Sequence, residues 1–140
     1  MRWLSAALLV LALGCDGSSS VTYVPYTMHA YVTVKCESID CVSSALSELN
    51  SFGVENGLKS QRAVLPREGR QVQQYLLVHP SGIRLNASNF QHAATLLITV
   101  SSPPDVRDPP WQDVLQSLVD HIETRLSRPV LVEFPGGGTE

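Results

Sequence analysis

Residues 28–36 read Met28-His29-Ala30-Tyr31-Val32-Thr33-Val34-Lys35-Cys36, with Met28, Ala30, Val32, Val34 and Cys36 on alternate positions. A period of two is that of a strand with one face buried and one face open. On this spacing His29, Tyr31, Thr33 and Lys35 share the open face. The next residues change period. Asp40 offers an N-cap, and Val42, Ala45, Leu46, Leu49 and Phe52 recur at helical spacing on one stripe. Gly53 is expected to end this helix in a left-handed C′ position, with Val54 reaching back to Leu49. A strand that runs straight into an amphipathic helix sets the architecture.

Working outward, residues 55–71 are polar, contain Pro66 and Gly69, and read as a long surface loop. Val72 to His79 reads as a strand, followed by a turn at Pro80-Ser81-Gly82. Ile83 to Leu85 is a short extra strand or part of a long hairpin arm. Ala93 to Ser101 is rich in Leu, Ile, Val and Thr and reads as a second central strand. Four prolines between Ser102 and Pro110 make that stretch a connection. Trp111, Val114, Leu115, Leu118, Val119, Ile122 and Leu126 then recur at spacings of three and four. Asp108 and a proline open this helix, Asp113 and Arg125 suit its dipole, and Pro129 stops it. Val130 to Phe134 is a last strand, and residues 136–140 form a loose tail.

The order strand, helix, two strands, helix, strand is that of a ferredoxin-like split β-α-β sandwich. The expected domain is α+β and spans residues 27–135. It has a four-stranded antiparallel sheet and both helices on one face. The other face is expected to carry Tyr31, Thr33, Lys35, Thr95, Leu97, Thr99 and Glu133. Such a frame hosts many unrelated activities and names none of them.

Length and composition fit one domain with a packed core: 140 residues, 44% hydrophobic and 16% charged. The net charge is −3 and the 10 basic residues are scattered without a run, which argues against a nucleic-acid partner. The leader says more. Met1-Arg2 is a short basic start, and Trp3 to Leu13 is apolar except for Ser5. A spanning helix needs roughly 20 apolar residues, so this shorter stretch suits the apolar region of a signal peptide.

Ala12-Leu13-Gly14-Cys15 resembles the lipobox of bacterial lipoproteins, in which a small residue precedes the cysteine that is lipidated. Ala12 stands where that family usually has Leu. The resemblance implies a signal peptide over residues 1–14 and a lipid on Cys15. It also implies a tether over residues 15–26 that joins the domain to a bacterial membrane. A diacylglycerol thioether holds far better than one fatty chain, at about 0.8 kcal/mol per buried methylene. Asp16 resembles the signal that keeps such lipoproteins in the inner membrane facing the periplasm; the outer membrane is the alternative address.

Cys36 and Cys41 flank the first strand-to-helix link. Outside the cytoplasm their default fate is a disulfide. The same stretch is similar to heavy-metal-associated domains, which place two cysteines at this junction to bind soft ions. Their motif has two intervening residues, whereas Glu37-Ser38-Ile39-Asp40 makes four here. Oxidoreductases of the thioredoxin type also use two. His29, His79, His92 and His121 show neither helical ligand spacing nor a hydrolytic pattern. No catalytic residue, cofactor or small-molecule substrate is identified. The expectation is a non-enzymatic envelope lipoprotein that binds another envelope protein or packs in an assembly. Soft-metal binding at Cys36 and Cys41 is the alternative.

Overall fold

The computed structural model describes residues 25–67, 70–89 and 94–136. The leader, Cys15, Asp16, the tether up to residue 24, His92 and residues 137–140 lie outside them. Strand β1, Thr27–Lys35, buries Ala30, Val32 and Val34 and leaves the residues between them partly exposed. It is followed by helix α1, Ile39–Glu55, then strands β2, Lys59–Arg67, β3, Arg70–Val78, β4, Arg84–Asn89, and β5, Thr95–Ser102. Helix α2, Trp111–Leu126, and strand β6, Leu131–Glu133, complete the chain.

All strands join one six-stranded sheet in the order β2-β3-β4-β5-β1-β6, with every pairing antiparallel. The sheet therefore has six strands and not the four expected. The difference lies in residues 55–71. Expected as a loop, they supply β2 and the start of β3, and Arg67 pairs with Arg70 across the hairpin. β2 is an edge strand, so it needs no apolar stripe on both sides and tolerates Pro66. Periodicity is weakest where only one side of a strand is paired.

The helices lie together on one face. Val42, Ala45, Leu49 and Phe52 of α1 and Val114, Leu115, Leu118 and Ile122 of α2 form one cluster with the buried strand residues. Those strand residues are Ala30, Val32, Val34, Tyr75, Leu77, Leu85, Ala87, Leu96, Ile98 and Val100. The opposite face is uncovered by either helix. Cross-strand partners share a face, so the register places Tyr31, Thr33, Lys35, Thr95, Leu97, Thr99 and Glu133 there, as expected. Leu131, Arg84, Asn86 and Ser88 join them.

Three local readings change. Ser38, not Asp40, is the N-cap of α1; its hydroxyl accepts from the Cys41 backbone N–H at 3.3 Å. Asp40 instead sits in the first turn, where its charge suits the positive helix end. α1 also runs through Gly53 to Glu55 and is capped by Asn56. Val54 is 74% exposed; Gly57, at φ 69°, is the left-handed residue, and the Schellman bonds run there instead, from Leu58 N–H to the Gly53 carbonyl and from Gly57 N–H to the Val54 carbonyl. α2 begins at Trp111, after Pro110, with no side-chain cap from Asp108, and ends at Ser127 in the left-handed conformation.

Gly53 has a packing role in mid-helix. A Cβ built there would stand 2.8 Å from Leu77 Cδ2, so the missing side chain lets α1 approach β3. We predict that Gly53→Val destabilises the fold by about 1–3 kcal/mol through overpacking, read as a lower urea midpoint. Leu77→Ala in the same background recovers part of the loss if this contact is the cause.

Candidate functional site

Cys36 leaves the end of β1 buried, Cys41 lies in the first turn of α1, and the structure bonds them, with Cα atoms 5.4 Å apart. The ring they close is small, and it ties the first turn of α1 to the end of β1. In the loop-entropy account such a closure stabilises by roughly 2 kcal/mol. Among the described residues no three of His, Cys, Asp and Glu gather as a metal-ligand group.

His29 lies elsewhere than the alternation places it. β1 pairs Met28 with Ser101 and Ala30 with Val100, so His29 is the extra residue of a bulge. A bulge re-aims a side chain and strengthens local twist. His29 thereby turns from the open face to the helix side. Its ring stacks on Trp111 at 4.5 Å between centroids and 5° between planes. Trp111 in turn lies 6.4 Å from the ring of Phe134, just past β6. Three segments distant in sequence meet at this end of the sheet.

Ser102, 2% exposed, completes the cluster: its Oγ is 2.7 Å from His29 Nε2 and donates to the Pro103 carbonyl at 3.1 Å. A hydroxyl has one proton. With that proton on Pro103 O, the imidazole Nε2–H donates to the serine, the reverse of the arrangement that activates a nucleophile. Desolvation lowers the His29 pKa from its ordinary 6.5. The contacts accordingly suit a neutral, packed imidazole.

His121 and His79 have separate places. His121 is 10% exposed between the helices, with Nε2 3.2 Å from Glu48 Oε2 and Nδ1 3.7 Å from Glu55 Oε2. Its ring meets Phe52 edge-on, so it fastens α1 to α2. His79 Nδ1 accepts from the Ser81 backbone N–H at 3.0 Å, which puts the proton of the neutral ring on Nε2. His79 lines a cavity of about 150 Å³ with Phe52, Asn56, Leu58, Asp113 and Ser117. That volume equals roughly five waters at about 30 Å³ each, well below the roughly 300–1,000 Å³ of ordinary ligand sites.

The open sheet face lies outside this packing. Arg84 lies there under the ring of Tyr26, 3.7 Å from its centroid, at the point where the chain enters β1. Arg84 Nε and Asn86 Oδ1 are buried and find no hydrogen-bond partner among the described residues. The sequence pattern places Tyr31, Leu97 and Lys35 on this face; it puts Arg84 in the short Ile83–Leu85 strand but assigns it to neither face.

No known family profile matches the chain. No curated protein matches it either. Among solved structures it is similar to the adenosylmethionine decarboxylase from Aquifex aeolicus VF5, at 14% identity and a TM-score of 0.47, over 81% of this chain and 92% of that one. At that level the likeness says nothing about chemistry.

The depressed pKa of His29 means that the unfolded chain binds its proton more readily than the folded one. Stability from this group is therefore full above pH 6.5 and falls as pH drops through 6.5 toward the folded value. Denaturant midpoints measured across that window should show this decline, and His29→Gln should flatten it. Replacing Cys36 and Cys41 together by serine should cost roughly 2 kcal/mol in the same assay and leave the far-ultraviolet spectrum native.

Proposed function

We propose that this chain is a membrane-tethered lipoprotein of the bacterial envelope and that its α+β domain is a binding module, not a catalyst. The observation that carries this reading is the cysteine pairing. The chain has three cysteines, and Cys36 and Cys41 are bonded to each other. A structural disulfide suits an oxidising, exported environment. The third cysteine is Cys15, at the Ala12-Leu13-Gly14-Cys15 lipobox.

The element order supports a ferredoxin-like frame in a widened form. β6-β1-β5-β4 is a four-stranded antiparallel unit with helices after β1 and β5. The β2–β3 hairpin extends it on the β4 side. In this reading the helices seal one face and the sheet presents the other as the binding surface. Asp16 favours the inner membrane, facing the periplasm.

Cys15→Ser tests the tether. The native protein should sediment with membranes, resist extraction by salt, and yield a mature N-terminal peptide heavier by a diacylglyceryl group and an amide-linked acyl chain. Cys15→Ser should abolish the added mass. A native chain that begins at another residue, or that carries an unmodified thiol at position 15, contradicts the proposal.

A further inference from the structure

Among the described side chains charge is biased by layer, with Arg62, over the Tyr75 ring on the helix side of the sheet, as the exception. The two helices carry Asp40, Glu48, Glu55, Asp113, Asp120 and Glu123 against Arg125 alone. The open sheet face has the opposite sign. Lys35 stands opposite Thr95, Arg84 opposite both Ser101 and Val78, and Lys59 opposite Val78. These cross-strand pairs put all three cations on the side away from the helices. Glu133, opposite Tyr31, is the acidic member of this face among the described side chains.

None of the three cations pairs with a carboxylate among the described residues; the ion pairs there involve His121, Arg125 and Arg128. Arg84 stacks on Tyr26, and Lys35 and Lys59 are exposed. The same face also exposes apolar side chains. Met28 is 37% and Leu131 46% accessible, and the register sets both among open-face residues, opposite Ser101 and Thr33. Cations interspersed with exposed apolar side chains are the composition of a surface that settles on an anionic headgroup layer.

We propose that the open sheet face docks on the anionic lipid headgroups of the membrane that holds Cys15. This rests on the tether reading and adds an orientation to it. Chain length supports the occupant. Ten residues lie between Cys15 and Tyr26, so the entry of β1 lies within about 40 Å of the anchor at full extension. That entry is at the open face, where Tyr26 covers Arg84. A tether this short holds the basic face at high effective concentration against the bilayer. A second copy of the chain is the poorer occupant, because two like-charged faces repel when apposed. The acidic helix layer would then point toward the periplasm.

The test uses the mature chain expressed from residue 15 with Cys15→Ser, so that no acyl group contributes. It is sedimented with vesicles of phosphatidylglycerol and phosphatidylcholine, and with vesicles of phosphatidylcholine alone. Binding should appear on the anionic vesicles and weaken as salt shortens the screening length. Lys35→Gln and Lys59→Gln should each weaken it about fivefold, as expected for one basic side chain near an anionic surface. Both residues are exposed, so these variants should keep the wild-type thermal transition, which is measured alongside.

Equal binding to both vesicle types, or undiminished binding by the double variant, overturns the proposal. Equally tight binding to soluble polyglutamate does so too, and assigns the face to an acidic polypeptide. The two readings separate cleanly. A native chain without lipid whose Cys15→Ser form still binds anionic vesicles removes the tether and keeps the face. A lipidated chain whose Cys15→Ser form ignores vesicle charge removes the face and keeps the tether.

Discussion

The pairing of β1 with β5 is the constraint on which the other elements depend. Ala30, Val32 and Val34 lie beside Val100, Ile98 and Leu96, all without exposed surface. This apolar strip is the floor on which both helices rest. Each fully buried aliphatic side chain contributes about 1.5–3 kcal/mol, and a one-residue slip would turn the whole strip toward solvent. The register is therefore fixed by the core. β6 then adds to the free edge of β1, and the β2-to-β5 meander continues from its other side.

The bulge at His29 is the one departure from that register, and it has a structural consequence. Without it the imidazole would stand on the open face beside Tyr31. With it the ring crosses to Trp111 and Ser102 and ties the first strand to the start of α2. At the other end of β1, the Cys36–Cys41 bond ties the same strand to the start of α1. β1 is thus fastened to one helix at each end, and His121 joins the two helices through Glu48 and Glu55. Polar and covalent links close a circuit around a core that is otherwise aliphatic, leaving the opposite face free of such ties.

Much of this architecture is legible in the sequence where burial is one-sided and strong. β1, α1, β5 and α2 follow from Val32, Leu49, Ile98 and Leu118 and their neighbours, because period and burial coincide there. β3 is legible from Val72 onward, but its partner β2 is not, since Lys59, Ser60, Gln61 and Arg62 form an exposed edge and leave no alternating apolar signal. Gly53 misleads for a related reason. Its absent side chain serves a contact with Leu77, which is distant in sequence, and a local rule reads it as a stop. The cysteine pair is recognisable from spacing and compartment. The turned His29 is not, because a bulge is decided by the partner strand.

The charge layering follows from these same assignments: the residues at alternate strand positions that avoid the core are the ones that supply the basic face. The most direct measurement of the account is the orientation of the native lipidated protein on an anionic bilayer containing a gadolinium-chelating lipid, read by nuclear magnetic resonance. Strong paramagnetic broadening is expected at Tyr31, Leu97 and Leu131 and little at Leu118 and Val119. Stronger broadening at the helix residues, or equal broadening on both layers, would contradict it.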